Sequence, residues 1–309
     1  MHAPESLSPF AHAVSASLAA RGLSEHGFIG AAELGAATSR VDASVAAAYG
    51  LGQARGAVIV ALPYRAGPDD AAGAGGPAPY ARVAPFASAN RYATLVRLLK
   101  EAAESAGLPR HAFRIFVNSR LPEKPLAVLA GLGFIGRSSL LVERRWGASC
   151  LLGGMLLPED PFGGRGGRPP EPGALEPGVG CGSCRACADA CPTGAIAAPG
   201  SGRAGLDRLA CIQHWTTEPD PVPARVTAAW GDTLYGCDAC VRACPFSAGV
   251  RDAPDPVSPA ETGPGSLLSI PWLAGASDGE LRERFRGTAL GMKRFSPALW
   301  RRNARLAGK

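Results

Sequence analysis

The sequence contains no run of apolar residues that approaches the roughly 18 needed to cross a membrane. Its first residues lack a basic segment followed by an apolar one, so we predict no signal peptide. Aromatic residues are scarce at 6%, while 46% hydrophobic and 19% charged residues are typical of a globular chain. We therefore expect a cytoplasmic protein without membrane association, long enough at 309 residues for two domains.

The nine cysteines cannot all be paired in disulfides, because their number is odd. In a protein that is not exported, clustered cysteines bind metal more often than they form disulfides. The run CGSCRACADACP, which begins at Cys181, has the C-x2-C-x2-C-x3-C-P spacing of bacterial ferredoxins. A second run, CDACVRACP, begins at Cys237 without a leading cysteine, and Cys211 is the obvious replacement. A zinc site would instead need two C-x2-C pairs.

In the ferredoxin pattern the fourth cysteine of each run binds the other cluster. We therefore predict two [4Fe–4S] clusters with crossed ligands. The first set is Cys181, Cys184, Cys187 and Cys244, and the second set is Cys191, Cys211, Cys237 and Cys240. The remaining cysteine, Cys150, lies in the apolar run SCLLGGMLL and is predicted to be a small buried hydrophobic residue.

The chain upstream of the cysteines alternates between helical and strand-like patterns, which predicts an α+β fold. Two Gly/Pro/Ala-rich segments, 65–80 and 158–180, read as loops or linkers. We predict an N-terminal α/β domain over 1–157, a linker over 158–180, a ferredoxin-like domain over 181–254 and a short helical basic tail over 255–309. The predicted elements of the first domain are strands 57–62, 113–117, 139–142 and 150–157, and helices 91–106 and 126–130.

One glycine motif imitates a dinucleotide-binding fingerprint. Gly131, Gly133 and Gly136 have the G-x-G-x-x-G spacing, but that fingerprint follows a strand and opens a helix. Here a helical pattern precedes the glycines and a strand-like run follows them. We therefore exclude a dinucleotide site and interpret the motif as a tight turn between helix and strand, or as a close approach to another flat ligand.

The formal net charge is +6, and it is concentrated near the C-terminus. Residues 280–309 carry nine Lys and Arg against two Glu. Such a segment favours a polyanionic partner such as RNA, although a solvated helix face explains the charge equally well. The predicted phosphate contacts are Lys293, Arg294, Arg301, Arg302 and Arg305.

Residues 117–141, VNSRLPEKPLAVLAGLGFIGRSSLL, followed by the double cysteine motif, resemble the epoxyqueuosine reductase family. The resemblance continues through YGCD at 235–238 to WRRN at 300–303, and covers the chain from about Ala54 onward. It implies a cobalamin-dependent iron–sulfur enzyme that completes queuosine in the tRNA anticodon. In that family the upstream domain cradles the cobalamin, and the clusters relay electrons to its cobalt.

The resemblance also assigns site residues by position. Asn118 stands where the family has an aspartate that donates a proton, and an amide cannot replace a carboxylic acid in that role. Glu123 is the alternative donor, unless it merely begins the following helix. His214 lies nearest to the cysteine motifs but is predicted to pack or hydrogen-bond rather than to bind cobalt. The family's Asp-Tyr-His is reduced here to Tyr92 between Arg91 and Ala93. The implied cobalamin contacts are Leu141, Leu152, Gln213 and Asp238.

Three functional hypotheses follow. The first is a reductase that converts epoxyqueuosine to queuosine in tRNA. The second is an electron-transfer iron–sulfur protein, and the third is a paralogous corrinoid reductase that acts on another substrate. The first hypothesis implies the tRNA anticodon region as partner, an external electron donor of flavodoxin or ferredoxin type, and a monomer.

Overall fold

The computed structural model describes residues 7–65, 80–164, 167, 169–202, 205–293 and 295–309. Most of the predicted loop 65–80, and Arg294, lie outside the described residues. The helices are α1 Pro9–Ala19, α2 Ala31–Thr38, α3 Ala43–Tyr49, α4 Pro85–Ser88, α5 Arg91–Ser105, α6 Glu123–Leu129, α7 Ala186–Asp189, α8 Ile212–Trp215, α9 Ala224–Thr227, α10 Ala239–Arg242, α11 Ile270–Gly275, α12 Asp278–Phe285 and α13 Pro297–Ala307. The strands are β1 His26–Gly30, β2 Gly56–Pro63, β3 Tyr80–Val83, β4 Arg114–Val117, β5 Gly133–Ile135, β6 Leu141–Glu143, β7 Cys150–Leu157, β8 Thr233–Tyr235 and β9 Leu267–Ser269. Short 3-10 helices cover Leu51–Gln53, Val179–Cys181, Arg208–Ala210, Pro245–Asp252, Pro259–Glu261 and Ala289–Gly291.

The main sheet has the antiparallel strand order β1-β2-β7-β4. Every residue of β2 is buried, because helices cover both faces of the sheet. Val58, Val60 and Leu62 pack with α1 and α5, while Ile59 and Ala61 pack with α2 and α6 on the other face. The continuous apolar run that predicted a buried strand is therefore explained by this two-sided cover.

Helix α5 confirms the predicted helix over 91–106 to within one residue. Its end has the geometry of a Schellman motif, since the Leu108 N–H donates to the Ala103 carbonyl at 2.9 Å. Gly107, with φ +78°, supplies the left-handed residue that this motif requires. At the other end, the Asn90 side chain accepts from the Ala93 N–H at 3.3 Å.

The glycine motif is preceded by α6 and followed by β6, so its context is indeed inverted. Its interpretation as a simple turn is wrong in one respect, because Gly133 lies within β5. A Cβ at Gly133 would lie 2.0 Å from the Val142 carbonyl oxygen of the paired strand. The predicted strand 139–142 begins later, at Leu141, because Ser139 has φ +61° and belongs to the hairpin turn.

A second sheet, ordered β8-β3-β9, joins distant parts of the chain. Strand β3 pairs in parallel with β8 and antiparallel with β9. Ala81 and Val83 share one hydrophobic core with Leu234 and with side chains of α11, α12 and α13. Residues 255–309 are therefore more than the predicted helical tail, since they contain a strand and pack on the first predicted domain. Hydrophobic periodicity is a local property of the sequence, so it could not reveal that these distant segments pair.

None of the helices in the described part of the chain combines the length and the apolar character that a membrane span requires.

Replacing Gly133 by Ala should destabilise the protein by about 1–3 kcal/mol, because the added methyl group overlaps the β6 backbone. The matched control is Gly35→Ala in α2, where no atom lies within 4 Å of the added methyl. That change should leave stability equal or raise it by about 0.4–1 kcal/mol. Urea denaturation of both variants measures the difference, and equal stabilities would contradict the packing described for Gly133.

Candidate functional site

The first predicted set of cysteines is brought together from two distant segments. Cys187 lies in α7, and Cys244 lies two residues after the end of α10, which contacts α7. Burial raises the pKa of the Cys187 thiol, and the neighbouring thiols of Cys181, Cys244 and Cys184 raise it further. Cys244 is thus a neighbour of the first cysteine run in space, as crossed ligation requires.

The second predicted set is more deeply buried. Burial raises the pKa of Cys237 to about 11, and the thiols of Cys211 and Cys191 contribute to the shift. Burial also raises the pKa of Cys240 to about 12, with contributions from Cys237, Cys211, Cys187 and Cys191. Because the thiolate is the form that binds metal, iron must displace these protons. The mutual influence of Cys240 and Cys187 places the two sets side by side.

In the described ranges, no three His, Cys, Asp or Glu side chains lie close enough together to share one metal ion. A four-iron cluster needs a wider spacing than a single ion, because each thiolate binds a different iron of the cluster.

The β5–β6 hairpin holds the loop of the first set. The Arg137 N–H donates to Cys181 Sγ at 3.4 Å, and the Arg137 side chain donates to the carbonyls of Cys184 at 3.1 Å and Gly182 at 2.8 Å. A Cβ at Gly136 would lie 2.6 Å from Val142 Cγ2 and 3.8 Å from Cys181 Sγ. The last glycine of the motif therefore serves the hairpin and the cysteine loop. In the second set, Cys191 Sγ accepts from the Ala195 N–H at 3.2 Å.

The second run is also fixed against the first domain by a close contact that we call the 147/247 contact, formed by residues 145–148 and 246–249. Gly147 has φ +60°, and a Cβ there would lie 2.5 Å from the Phe246 carbonyl carbon. The Ala148 N–H donates to Ser247 Oγ at 3.1 Å. Gly249 lies equally close, since a Cβ there would be 2.8 Å from the Arg145 carbonyl oxygen.

A cavity of about 250 Å³, here called the inner cavity, opens at the sheet edge where β2 ends and β7 begins. All four residues predicted to contact cobalamin line it: Leu141, Leu152, Gln213 and Asp238. The wall also contains Cys237 of the second set. The other lining residues are Tyr64, Phe86, Lys124, Leu140, Ala148, Cys150, Leu151 and Val241.

The polar groups of the inner cavity are held by specific partners. Gln213 Oε1 accepts from the Cys237 N–H at 3.3 Å. Asp238 is 8% exposed, and its Oδ1 lies 3.4 Å from Arg242 Nε. Lys124 Nζ donates to the Ser139 carbonyl at 2.6 Å, and desolvation lowers the pKa of Lys124. Burial raises the pKa of Tyr64 well above its ordinary value.

Sequence reasoning missed Lys124 and Tyr64 as lining residues. Lys124 directly follows Glu123 in the segment that carries the resemblance. This position was the one signal that could have indicated Lys124 as a site residue. Cys150 is more than the predicted buried hydrophobic residue, because it is half-buried and lines the inner cavity. Burial raises the pKa of the Cys150 thiol, and the thiol donates to the Gly147 carbonyl at 3.8 Å.

Neither Asn118 nor Glu123 is among the described residues that line the inner cavity. Asn118 is exposed, has φ +48°, and ends β4 at the same sheet edge. Glu123 is the first residue of α6, as the alternative interpretation requires, and its Oε1 accepts from the Ser119 N–H at 2.7 Å. Burial raises the pKa of Glu123, although the Ser119 hydrogen bonds oppose the shift. His214 Nδ1 lies 3.6 Å from Glu218 Oε1, and its ring packs on Trp215.

Two of the predicted phosphate contacts have intramolecular partners instead. Arg302 donates to the carbonyls of Glu218 at 2.7 Å, Asp220 at 2.8 Å and Trp215 at 2.5 Å. Arg301 pairs with Asp278 Oδ1 at 2.7 Å and donates to the Ala276 carbonyl at 2.6 Å. Lys293 and Arg305 are exposed, which leaves them available to a partner.

The two sets of cysteines belong to a recognised class of iron–sulfur domain. A family model described as a 4Fe-4S double cluster binding domain matches residues 180–247. Beyond this domain, the chain is similar to curated epoxyqueuosine reductases. It is 31% identical to that of Xanthomonas campestris pv. campestris over 228 residues, which are 72% of this chain and 59% of the relative. It is 38% identical to that of Escherichia coli over 141 residues, which are 44% of this chain and 32% of the relative.

Solved structures of epoxyqueuosine reductases share the fold. The enzyme from Bacillus subtilis, with a catalytic aspartate loop swung out of its active site, matches with a TM-score of 0.73 and 22% identity. That match covers 96% of this chain and 80% of the other. An epoxyqueuosine reductase with an epoxyqueuosine-modified tRNA stem loop matches with a TM-score of 0.72 at 22% identity, over 96% and 80% of the two chains.

These comparisons confirm the predicted α+β fold with a double-cluster domain and the resemblance to the epoxyqueuosine reductase family. The chain nevertheless spans only about a third to three fifths of the length of the curated relatives it matches.

Replacing Cys244 by Ala should disrupt the cluster of the first set, because Cys244 neighbours Cys187 rather than only its own run. We expect about eight iron atoms per parent chain after anaerobic reconstitution, and a loss in the variant. Electron paramagnetic resonance spectra of Cys184→Ala and Cys211→Ala provide the references for losing the first and the second cluster.

The Cys244→Ala spectrum should match that of Cys184→Ala. Cys150→Ala is the control and should keep the full iron content, since Cys150 belongs to neither set. A Cys244→Ala spectrum that matches Cys211→Ala instead would show that the ligands are not crossed.

Proposed function

We propose that the chain is an iron–sulfur, cobalamin-dependent reductase that acts on epoxyqueuosine in tRNA or on a closely related substrate. One observation carries the proposal. The four residues that the resemblance assigns to cobalamin, which come from β6, β7, α8 and the start of α10, line one cavity whose wall includes Cys237. Such convergence of distant segments beside a cluster ligand suits a redox cofactor that receives electrons from the second cluster.

The residues present fit a corrinoid. Leu141, Leu152 and Phe86 offer apolar surface to a flat macrocycle, and Gln213 and Asp238 offer hydrogen-bonding groups to amide side chains. The inner cavity takes only part of such a ligand at about 250 Å³. A neighbouring cavity of about 930 Å³, here called the outer cavity, shares Tyr64 and Asp238 with it, so a larger ligand can extend there. When bound, the corrinoid would supply a reducing cobalt centre.

The protein's own groups would organise the electron path. The loop of the first set is the more accessible, because Gly182, Ser183 and Arg185 are exposed there. The loop of the first set is therefore the side that an external donor would approach. Cys237 would hold the second cluster at the wall of the inner cavity, where the cluster would supply electrons. We propose that this donor is of flavodoxin or ferredoxin type and that the chain acts as a monomer.

Proton delivery is the step that this chain must perform differently from its relatives. The relative with the swung-out loop carries a catalytic aspartate, and the resemblance places Asn118 at that position. Glu123, the alternative donor, is held by the Ser119 N–H outside the inner cavity. Lys124 lies in the cavity wall with a pKa lowered by desolvation, which brings an ammonium group closer to the range of a useful acid. We therefore favour Lys124 as the proton donor.

The replacement of an acid by Asn118 also supports the paralogue hypothesis, in which the same machinery reduces another substrate. For tRNA as partner, the exposed Lys293 and Arg305 remain candidate phosphate contacts.

Cobalamin added to the anaerobic, iron-loaded protein should change its visible spectrum. Leu152→Trp should weaken binding by at least about tenfold, or about 1.4 kcal/mol, because the indole fills the inner cavity. The control, Leu209→Trp, changes an exposed leucine away from the cavity and should bind as the parent does. Titrations followed by absorbance measure all three proteins. If the visible spectrum does not change when cobalamin is added to the parent protein, only the electron-transfer hypothesis remains.

Lys124→Gln should lower turnover of epoxyqueuosine tRNA by about 10²–10⁴-fold if Lys124 donates the proton. Cobalamin binding and iron content should persist. The parent should also lose activity as the pH rises through the pKa of Lys124, because only the protonated amine can donate. Liquid chromatography of nucleosides from digested tRNA measures the product.

The matched change is Glu123→Gln, which should keep most of the activity, since Glu123 caps a loop outside the cavity. Asn118→Asp should raise activity if that position faces the substrate. The reverse result, with Glu123→Gln inactive and Lys124→Gln active, would make Glu123 the donor. A parent that binds cobalamin but leaves epoxyqueuosine unchanged would favour the paralogue.

A further inference from the structure

The outer cavity adjoins the inner one and has a different chemical character. Its volume is about 930 Å³, and it shares Tyr64, Asp238 and Val241 with the inner cavity. Its wall runs from α4 and the start of α5 to the 3-10 helix Pro245–Asp252. Where the inner cavity is lined mostly by apolar side chains, the outer cavity is rich in arginine.

Among the described residues that line the outer cavity, four carry guanidinium groups and two carry carboxylates, a local charge of about +2. Arg91 pairs with Asp255 at 2.9 Å, and Arg242 pairs with Asp238 at 3.4 Å. The remaining two, Arg65 and Arg251, are exposed and have no carboxylate within salt-bridge distance in the part of the chain that the structure describes. Within the described ranges, the cavity therefore holds positive charge that no neighbouring carboxylate neutralises.

Arg91 is the fixed element of this group. It is only 5% exposed, and its other two nitrogens donate to the Pro85 carbonyl at 2.7 Å and to Asp255. Its Nε is buried and has no hydrogen-bond partner among the described residues. A buried donor left unsatisfied is destabilising, and a ligand oxygen that accepts from it would remove that cost.

We propose that the outer cavity binds a phosphate group of a larger ligand. Guanidinium groups form paired hydrogen bonds with phosphate oxygens, and the excess charge of about +2 matches a phosphate anion. The volume far exceeds that of one phosphate, so the anion belongs to a molecule whose remainder occupies the rest of the cavity. The inference rests on the proposed function, which supplies two possible sources of the phosphate. These are the phosphodiester in the nucleotide tail of cobalamin and a backbone phosphate of the substrate RNA.

The test uses the iron-loaded full chain and the double variant Arg65→Gln/Arg251→Gln. This variant changes two exposed residues and leaves the ion pair between Arg91 and Asp255 intact. The control is Arg185→Gln, an exposed arginine paired with Asp189 outside the outer cavity. The probes are cobalamin, cobinamide, which lacks the nucleotide tail and its phosphate, and an unmodified tRNA anticodon stem loop. Anaerobic titrations at several salt concentrations measure each affinity.

The double variant should weaken the phosphate-bearing ligand by about tenfold or more, and the control should not. If the phosphate is that of the cofactor, cobalamin binding weakens and cobinamide binding does not change. If it is that of the RNA, stem-loop binding weakens, its salt dependence falls by about 0.7 unit of slope per lost contact, and neither corrinoid is affected. Arg91→Lys, which keeps the charge but loses the paired geometry, should weaken the same ligand.

Unchanged affinity of the double variant for both cobalamin and the stem loop would overturn the proposal, as would a parent that binds neither. Its failure is distinguishable from failure of the proposed function. If the parent and every variant bind cobalamin and cobinamide equally, the proposed corrinoid reductase stands, but the phosphate in the outer cavity is not that of the cofactor. A parent that binds only the stem loop, in an Arg65- and Arg251-dependent way, keeps the phosphate site without cobalamin.

Discussion

The 147/247 contact is the constraint on which the arrangement of the whole centre depends. Residues 145–148 of the first domain and 246–249 of the second cysteine run approach so closely that Gly147 and Gly249 have no room for a side chain. Because Ser247 lies three residues after Cys244, the contact fixes the cysteine that completes the first set. It also fixes Ala148 and Ser149, which belong to the walls of the two cavities. Cluster ligands and cavity walls are thus positioned by one backbone contact.

The two adjoining cavities differ in the chemical character of their walls. The inner cavity is largely apolar and touches Cys237, which suits a cofactor that must exchange electrons over a short distance. The outer cavity carries the arginines and opens beside it, with Asp238 common to both. Arg242 pairs with Asp238 across this shared wall, so a charge that enters the outer cavity acts directly on a residue of the inner one.

The cysteine centre was predictable because metal ligands leave a local signature in their spacing, and the same spacing is the basis for predicting crossed ligation. The four inner-cavity residues Leu141, Leu152, Gln213 and Asp238 were predicted from resemblance alone, and their convergence depends on packing that no local pattern encodes. The same holds for β3, whose partners β8 and β9 lie about 150 and about 185 residues away in sequence. Arg302 was misjudged because its charge was visible in the sequence, whereas the carbonyl groups that it satisfies were not.

Arg302 and Asn303 connect the last helix to the second set of cysteines. Arg302 donates to the Trp215 carbonyl at the end of α8, and the buried Asn303 donates to the carbonyls of Thr216 and Leu234. Helix α8 follows Cys211, and β8 leads into Cys237. During synthesis the chain leaves the ribosome from its N-terminus, so these supports emerge after both cysteine runs. The environment of the second cluster is therefore complete only after translation has passed Asn303, whereas the main sheet can form long before.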